Sequence, residues 1–131
     1  MMKNETKVII YAKEGDQLGD LFKETITGLA LKANMETCGV ISDLLSRLHM
    51  PQREFNIAVL IAADREDIEK ILAVRSLLDN VRIILVLPDR EIDTVRTGHS
   101  LHPRYLSFKD SPIDDVKSVL ARMIEVENTK K

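Results

Sequence analysis

The chain has 131 residues, of which 44% are hydrophobic and only 4% aromatic, and tryptophan is absent. This length predicts one domain, residues 1–131, with an aliphatic core. Its 19 basic and 21 acidic residues are interspersed and give a formal net charge of −2. The composition therefore offers no support for binding to nucleic acid or to an anionic membrane.

The N-terminal segment and the cysteine content indicate the compartment. MMKNETK is too polar for a signal peptide, and every apolar run is far shorter than the roughly 20 residues that cross a bilayer. The single cysteine, Cys38, cannot form an internal disulfide, which fits a reducing environment. We expect a cytoplasmic protein.

The first half of the chain alternates between strand and helix patterns. A strand is predicted over 7–12, followed by a helical stripe, a weaker strand over 33–38 and a second helical stripe ended by Pro51. The two stripes consist of Leu18, Leu21, Phe22, Ile26, Leu29 and Ala33, and of Ile41, Leu44, Leu45 and Leu48.

The second half continues the same alternation. Strands are predicted over 55–63, 81–87 and 104–108, and the first two are continuous apolar runs typical of buried parallel strands. Three helices are predicted between and after them, the middle one short and stopped by Gly98, with a frayed tail over 126–131. Their apolar positions are Ile68, Ile71, Leu72 and Leu78; Ile92 and Val95; and Ile113, Val116, Val119, Leu120, Met123 and Ile124.

Regular alternation of this kind predicts an α/β fold in three layers, with a doubly wound, parallel, five-stranded sheet of the flavodoxin-like type. In such sheets ligands bind beyond the carboxyl ends of the strands. The loops at 12–16, 62–67, 87–91 and 108–112 are therefore the places where functional residues are expected.

The five alternating units, the approach TGHSLHPRYLSFK and the closing helix SPIDDVKSVLARMI resemble the receiver domains of bacterial response regulators over nearly the whole chain. The resemblance implies a receiver-like fold and a two-component signalling context. It also implies that Lys109 occupies the position of the family's lysine after the last strand.

The other parts of the family's phosphorylation site are absent or displaced. Ala12 and Lys13 stand where an acidic pair should bind Mg²⁺, and Glu14 and Asp16 are out of register. Apolar residues end the third strand, with Asp64 displaced past the phosphoacceptor position. Pro88 replaces the hydroxyl residue after the fourth strand, and Lys109 is followed by aspartate rather than proline. We therefore interpret the chain as a degenerate receiver, with no catalytic residue, no metal site and no cofactor.

Several candidates have two interpretations. Asp64 is a shifted phosphoacceptor or, as we prefer, the N-cap of the following helix. Asp89 is interpreted as a similar cap, and Ser111 followed by Pro112 as another helix start. Lys109 contacts an anionic ligand or, as we prefer, forms an ion pair with Asp64, Glu14 or Asp89.

The remaining candidates favour structural roles. His99 and His102 are two loop histidines without enough partners for a metal site, and Cys38 is interpreted as a small buried apolar residue. No GxGxxG, P-loop or GxSxG motif is present in the sequence.

We therefore expect a non-enzymatic module that signals through an unidentified protein partner, with a homodimer as one possibility. The expected surface comprises the fourth helix, last strand and last helix, where Arg104 and an exposed Tyr105 are interface candidates. Two alternatives stay open. One is a phosphoacceptor receiver that uses Asp64 with Glu14 or Asp16, Lys109 and Mg²⁺. The other is a small-molecule binder on a flavodoxin-like fold.

Overall fold

The computed structural model describes residues 6–28, 33–50 and 54–129. Five strands form one parallel sheet in the order β2-β1-β3-β4-β5. The elements in chain order are β1 (Lys7–Ala12), α1 (Gln17–Thr27), β2 (Asn34–Cys38), α2 (Ile41–His49), β3 (Ile57–Ile61), α3 (Arg65–Leu72), a 3₁₀ turn (Arg75–Leu78), β4 (Arg82–Leu87), α4 (Ile92–His99), β5 (Tyr105–Phe108) and α5 (Ile113–Thr129). The predicted α/β fold class and all five predicted strands are confirmed.

The sheet separates two apolar clusters because successive residues of a strand face opposite sides. Ile9 and Tyr11 point toward the side covered by α2, α3 and α4, together with Leu60 and Leu85. Val8 and Ile10 point toward α1 and α5. The central strands β1, β3 and β4 are almost completely buried, which explains why their sequences read as continuous apolar runs.

The predicted stripe of α1 is wrong in two respects. The helix ends at Thr27, so Ala33 lies outside it, and Leu29 falls outside the described residues. The face that packs on the sheet consists of Gly19, Phe22 and Ile26, whereas Leu18 and Leu21 are exposed. The four-residue step from Phe22 to Ile26 sets the buried face, and the two leucines lie beside it.

Two helix boundaries also differ from the predictions. The third helix ends at Leu72, and Leu78 belongs to the separate 3₁₀ turn. Gly98 does not stop α4 but lies buried inside it, where an added Cβ would come within 3.0 Å of a Leu87 methyl carbon. Close packing on β4, rather than helix termination, is therefore the reason for a small residue at this position.

The predicted frayed tail is wrong for residues 126–129. Helix α5 continues to Thr129, and the Thr6 hydroxyl donates to the Asn128 side-chain oxygen at 2.5 Å. Arg82 at the start of β4 forms an ion pair with Glu127 at 3.3 Å. These contacts hold the last turns of α5 against the amino ends of the strands, and Lys130 and Lys131 lie outside the described residues.

Candidate functional site

Lys109 lies at the carboxyl edge of the sheet, directly after β5. Its backbone N–H donates to the Leu87 carbonyl at 2.9 Å, which keeps it beside the end of β4. From there its Nζ reaches Asp16 Oδ2 at 2.5 Å and the Ala63 carbonyl at 3.4 Å. The side chains of Lys109 and Asp16 are only 11% and 12% exposed. The amine thus crosses the sheet edge from β5 to the loop after β1.

Asp16 is positioned by the turn between β1 and α1. Gly15 has φ +89°, a left-handed conformation that favours glycine, and Asp16 follows it at the start of α1. An aspartate at this position usually caps the helix, but the Asp16 side chain makes no capping hydrogen bond. A Cβ at Gly19 would lie 2.6 Å from Asp16 Oδ2, so the glycine leaves the space that the carboxylate occupies. The Asp16 carboxylate therefore pairs with Lys109 instead of capping its own helix.

The ion pair predicted for Lys109 is present, but none of its three predicted partners takes part in it. The Asp64 carboxylate accepts from the Asp67 backbone N–H at 2.8 Å, which confirms its assignment as the N-cap of α3. The extended backbone of Asp64 and the helix that follows turn the carboxylate into the first turn of α3.

Glu14 and Asp89 are also directed elsewhere. The exposed Glu14 side chain lies over Gly39, where an added Cβ would meet its Cγ at 2.7 Å. Asp89 Oδ1 accepts from the Glu91 backbone N–H at 3.0 Å. Asp89 thus closes a turn ahead of α4, while Glu91 stands at the N-cap position of that helix. The hydrogen bond from the Glu91 N–H lowers the pKa of Asp89.

Buried apolar side chains occupy the ends of the central strands. Ala12 is paired in register with Ile61, and both are fully buried. Ala62 follows with no exposed surface, and the half-buried Pro88 follows β4. A carboxylate pair at these strand ends would have no space and no hydration, so the ends of β1 and β3 present no oxygen side chain to a cation.

Asp67 forms a second polar centre that the sequence analysis missed. It is 2% exposed, its Oδ1 accepts from the Tyr11 hydroxyl at 2.7 Å and its Oδ2 accepts from the Ala63 N–H at 2.9 Å. It links β1, the end of β3 and α3 in one buried network. In the sequence Asp67 is an ordinary acidic residue of a first helical turn, and Tyr11 in an aliphatic strand is the only signal of a buried partner.

Burial raises the pKa of two groups near this centre. The pKa of Tyr11 is raised strongly, first by burial and then by its hydrogen bond to Asp67. Burial, followed by the negative charge of Asp43, raises the pKa of Cys38 to about 12. The Cys38 thiol is 5% exposed, so its interpretation as a small buried residue is confirmed. Both groups are neutral near pH 7, which suits structural roles rather than nucleophilic chemistry.

Arg90 links the loop after β4 to the loop after β5. Its guanidinium lies 4.1 Å from the centre of the Phe108 ring and pairs with Asp110 at 2.9 Å. The same group donates to the Ser111 hydroxyl at 3.1 Å. The hydrogen bond from Arg90 lowers the pKa of Asp110. Cation, ring and carboxylate together form a surface clamp that the sequence did not indicate.

The two interface candidates differ in exposure. Arg104 is exposed, but Tyr105 is half-buried and packs against the cluster on the α1 and α5 side, so the prediction of an exposed tyrosine is wrong. Tyr105 opens β5, an edge strand, and pairs in register with Ile84. Its ring fills the end of the core, which leaves only part of it for a partner.

Two further properties concern the described residues alone. They contain no group of three or more His, Cys, Asp or Glu side chains placed to hold a metal ion. Within this part of the chain no helix combines the length and apolar character needed to cross a membrane.

Comparisons with known proteins give the fold. No protein-family model and no curated protein sequence matches the chain. Solved structures do match. A CheY-like response regulator receiver domain from Methanospirillum hungatei has TM-score 0.71 and 13% identity, covering 94% of this chain and 96% of the other. The signal receiver domain of an HD domain-containing protein from Pseudomonas fluorescens has TM-score 0.72 and 10% identity, covering 96% and 91%.

A third similar structure contains a phosphorylated residue. It is a response regulator from Burkholderia pseudomallei with a phosphorylated aspartic acid, a calcium ion and citrate, at TM-score 0.66 and 12% identity, covering 95% of this chain and 74% of the other. The chain therefore has the fold of response-regulator receiver domains, with low sequence identity to these three structures.

Proposed function

We propose that this receiver-fold chain is a non-enzymatic signalling module of the cytoplasm that acts through protein–protein contact and does not require phosphorylation. The observation that carries the proposal is the Asp16–Lys109 ion pair. Lys109 stands where the family has its lysine, and its positive charge is already balanced by the Asp16 carboxylate of the same chain.

The surrounding chemistry supports the same conclusion. Phosphoryl transfer to an aspartate depends on a cation that balances charge at the transferring group. The Asp64 carboxylate accepts from the Asp67 backbone N–H instead, and fully buried apolar side chains end β1 and β3. Mg²⁺ would keep its water shell at such an edge and bind weakly.

The proposed contact surface comprises α4, β5 and α5. Ile92 at the start of α4 is 74% exposed, the largest fraction among the exposed large hydrophobic residues of the described chain. Arg96 and His99 follow on the same helix and are exposed, and Arg104 precedes the edge strand. An exposed aliphatic residue with neighbouring arginines fits a protein partner, and a second copy of the chain is one candidate.

An NMR titration tests the absence of phosphorylation. We would add Mg²⁺ and then beryllofluoride, a phosphoryl mimic, to ¹⁵N-labelled protein and follow the amides of Asp16, Asp64 and Lys109. The proposal expects no saturable change at these positions. Saturable shifts that disappear in Asp64→Asn would establish the alternative, a phosphoacceptor receiver with a rearranged pocket.

A second experiment tests the contact surface. Sedimentation velocity and affinity capture would compare the wild type with Ile92→Glu and with the control Leu45→Glu, another exposed apolar residue, on α2. Loss of self-association or of a specific captured protein with Ile92→Glu alone supports the proposed surface. Equal behaviour of the two variants would contradict it.

A further inference from the structure

The amino edge of the sheet, opposite Lys109, carries a cleft between the segment 75–83 and the turn after α4. It comprises two adjoining parts of about 430 and 280 Å³. Both parts are lined by Asp79, Val81, Ile83 and His102. Arg75 lines the larger part, and Arg104 the smaller.

Two arginine side chains at this cleft have no ion-pair partner among the described residues. Five described arginines form ion pairs with carboxylates, namely Arg47, Arg65, Arg82, Arg90 and Arg96. Within the described residues the other three, Arg75, Arg104 and Arg122, form none. Two of these three lie at the same cleft. Asp79 lines both parts, yet it forms no ion pair with Arg75, His102 or Arg104 within the described chain.

The backbone at the cleft adds an independent observation. His102 has φ +52°, the only left-handed conformation of a non-glycine residue in the described segments. Its N–H donates to the His99 carbonyl at 2.9 Å, which fixes the turn after α4. Sparsely populated backbone conformations of this kind are concentrated at ligand-binding positions. The turn places an exposed imidazole at the wall that the two parts of the cleft share.

The floor of the cleft is apolar. Leu78, Ile83 and Leu101 are nearly buried beneath it, and Val81 is half-buried. Ser76 and Ser100 add hydroxyl groups to the rim of the larger part. An apolar floor with a few converging polar and cationic groups is the usual composition of a small-molecule site.

We propose that this cleft binds a small amphipathic phosphate ester, with its phosphate at Arg75, His102 and Arg104 and its apolar or planar body on the floor. Guanidinium groups match the geometry of phosphate oxygens and bind them through paired hydrogen bonds. The cleft shares no residue with the carboxyl edge, so the proposal does not depend on the absence of phosphorylation; it shares Arg104 with the proposed contact surface.

The test uses adenosine monophosphate as the probe, with adenosine and inorganic phosphate as its two halves. In ¹⁵N NMR titrations of the full chain, adenosine monophosphate should give saturable shifts at the amides of Ser76, Leu101 and His102. Each half should bind about ten-fold more weakly or worse, because each lacks one set of contacts. Equal binding of inorganic phosphate would overturn the assignment of an amphipathic ligand. No saturable shift at these amides with millimolar adenosine monophosphate would overturn the site itself.

Matched arginine variants locate the phosphate. Arg75→Gln and Arg104→Gln should each weaken adenosine monophosphate binding about ten-fold, the usual loss of a charged hydrogen-bonding partner. Arg122→Gln removes the third arginine without an ion pair, which does not line the cleft, and should change the affinity less than about two-fold. An equal loss in all three variants would overturn the proposal, because it would indicate attraction by net charge alone. The amide spectra also show whether each variant is folded.

Discussion

The two edges of the sheet differ in whether their charged side chains have partners within the described chain. At the carboxyl edge the charged side chains of the candidate site have partners within the chain: Lys109 pairs with Asp16, Asp64 caps α3 and Asp67 accepts from Tyr11. At the amino edge Arg75 and Arg104 face a cleft without an ion-pair partner among the described residues. At the carboxyl edge, where the family has its phosphorylation site, these charged side chains therefore pair with other groups of the chain. At the amino edge, two arginine side chains are available for a ligand.

This contrast shows why position in the fold is a weak guide to function. The fold provides a lysine beyond β5, but neighbouring side chains decide whether that lysine can meet a ligand. Substitutions that remove these internal partners test how firmly the carboxyl edge is held together.

Loss of the buried carboxylate at position 67 should have the largest effect. Asp67→Ala leaves the Tyr11 hydroxyl and the Ala63 N–H without an acceptor in a buried region, and we expect it to destabilise the fold by about 3 kcal/mol. Urea denaturation followed by circular dichroism measures this. Tyr11→Phe removes only one of the two bonds and should cost about 1–2 kcal/mol. As a control, Glu125→Ala on the exposed face of α5 should change stability by less than about 0.5 kcal/mol.

Breaking the Asp16–Lys109 pair should have a moderate effect. Asp16→Ala leaves a largely buried ammonium without its partner and should cost about 1–2 kcal/mol. The double variant Asp16→Ala with Lys109→Ala should lose less than the sum of the single variants, with a coupling energy of about 1 kcal/mol. Strict additivity in this double-mutant cycle would show that the pair contributes nothing to the closed edge.

Removing the α3 cap should have a smaller effect. Asp64→Ala should destabilise the fold by about 1 kcal/mol, while Asp64→Ser should retain most of the stability because serine is also a good N-cap. Thermal unfolding of the two variants separates a capping role from any role of the negative charge. If serine were as damaging as alanine, the charge of Asp64 rather than its cap would be the important property.

The clamp at Arg90 should have the smallest effect, visible mainly as a pKa. Because Arg90 favours the ionised carboxylate, the Asp110 pKa should lie below its ordinary value of 3.8 in the wild type and return toward it in Arg90→Gln. The resulting stabilisation is fully present above the ordinary pKa and is lost as the pH falls through the lowered one. Carboxyl ¹³C NMR titration measures both values, and an unchanged Asp110 pKa in the variant would contradict the clamp.

The sequence predicted most of the fold but only part of the site. The strands followed from long apolar runs, because the burial of β1, β3 and β4 on both faces leaves a clear pattern. The Asp64 cap followed from local chemistry, since a cap depends on residues three positions apart. Asp16 with Lys109 and Tyr11 with Asp67 lie 93 and 56 positions apart, so no local pattern could predict either pair. The role of Gly98 was predicted wrongly, because a small residue is needed there for close packing against Leu87 of β4, and a single helical pattern does not show that contact.

The hydrogen bond between Thr6 and Asn128 joins positions that are 122 residues apart. The segment before β1 and the last turn of α5 therefore lie next to each other. A fold of this kind should tolerate circular permutation, with a short linker between these two segments and new ends opened in the exposed loop around Asp79 and Asn80. Such a permutant should keep all five strands in their present order in the sheet, with the chain opened at the loop before β4.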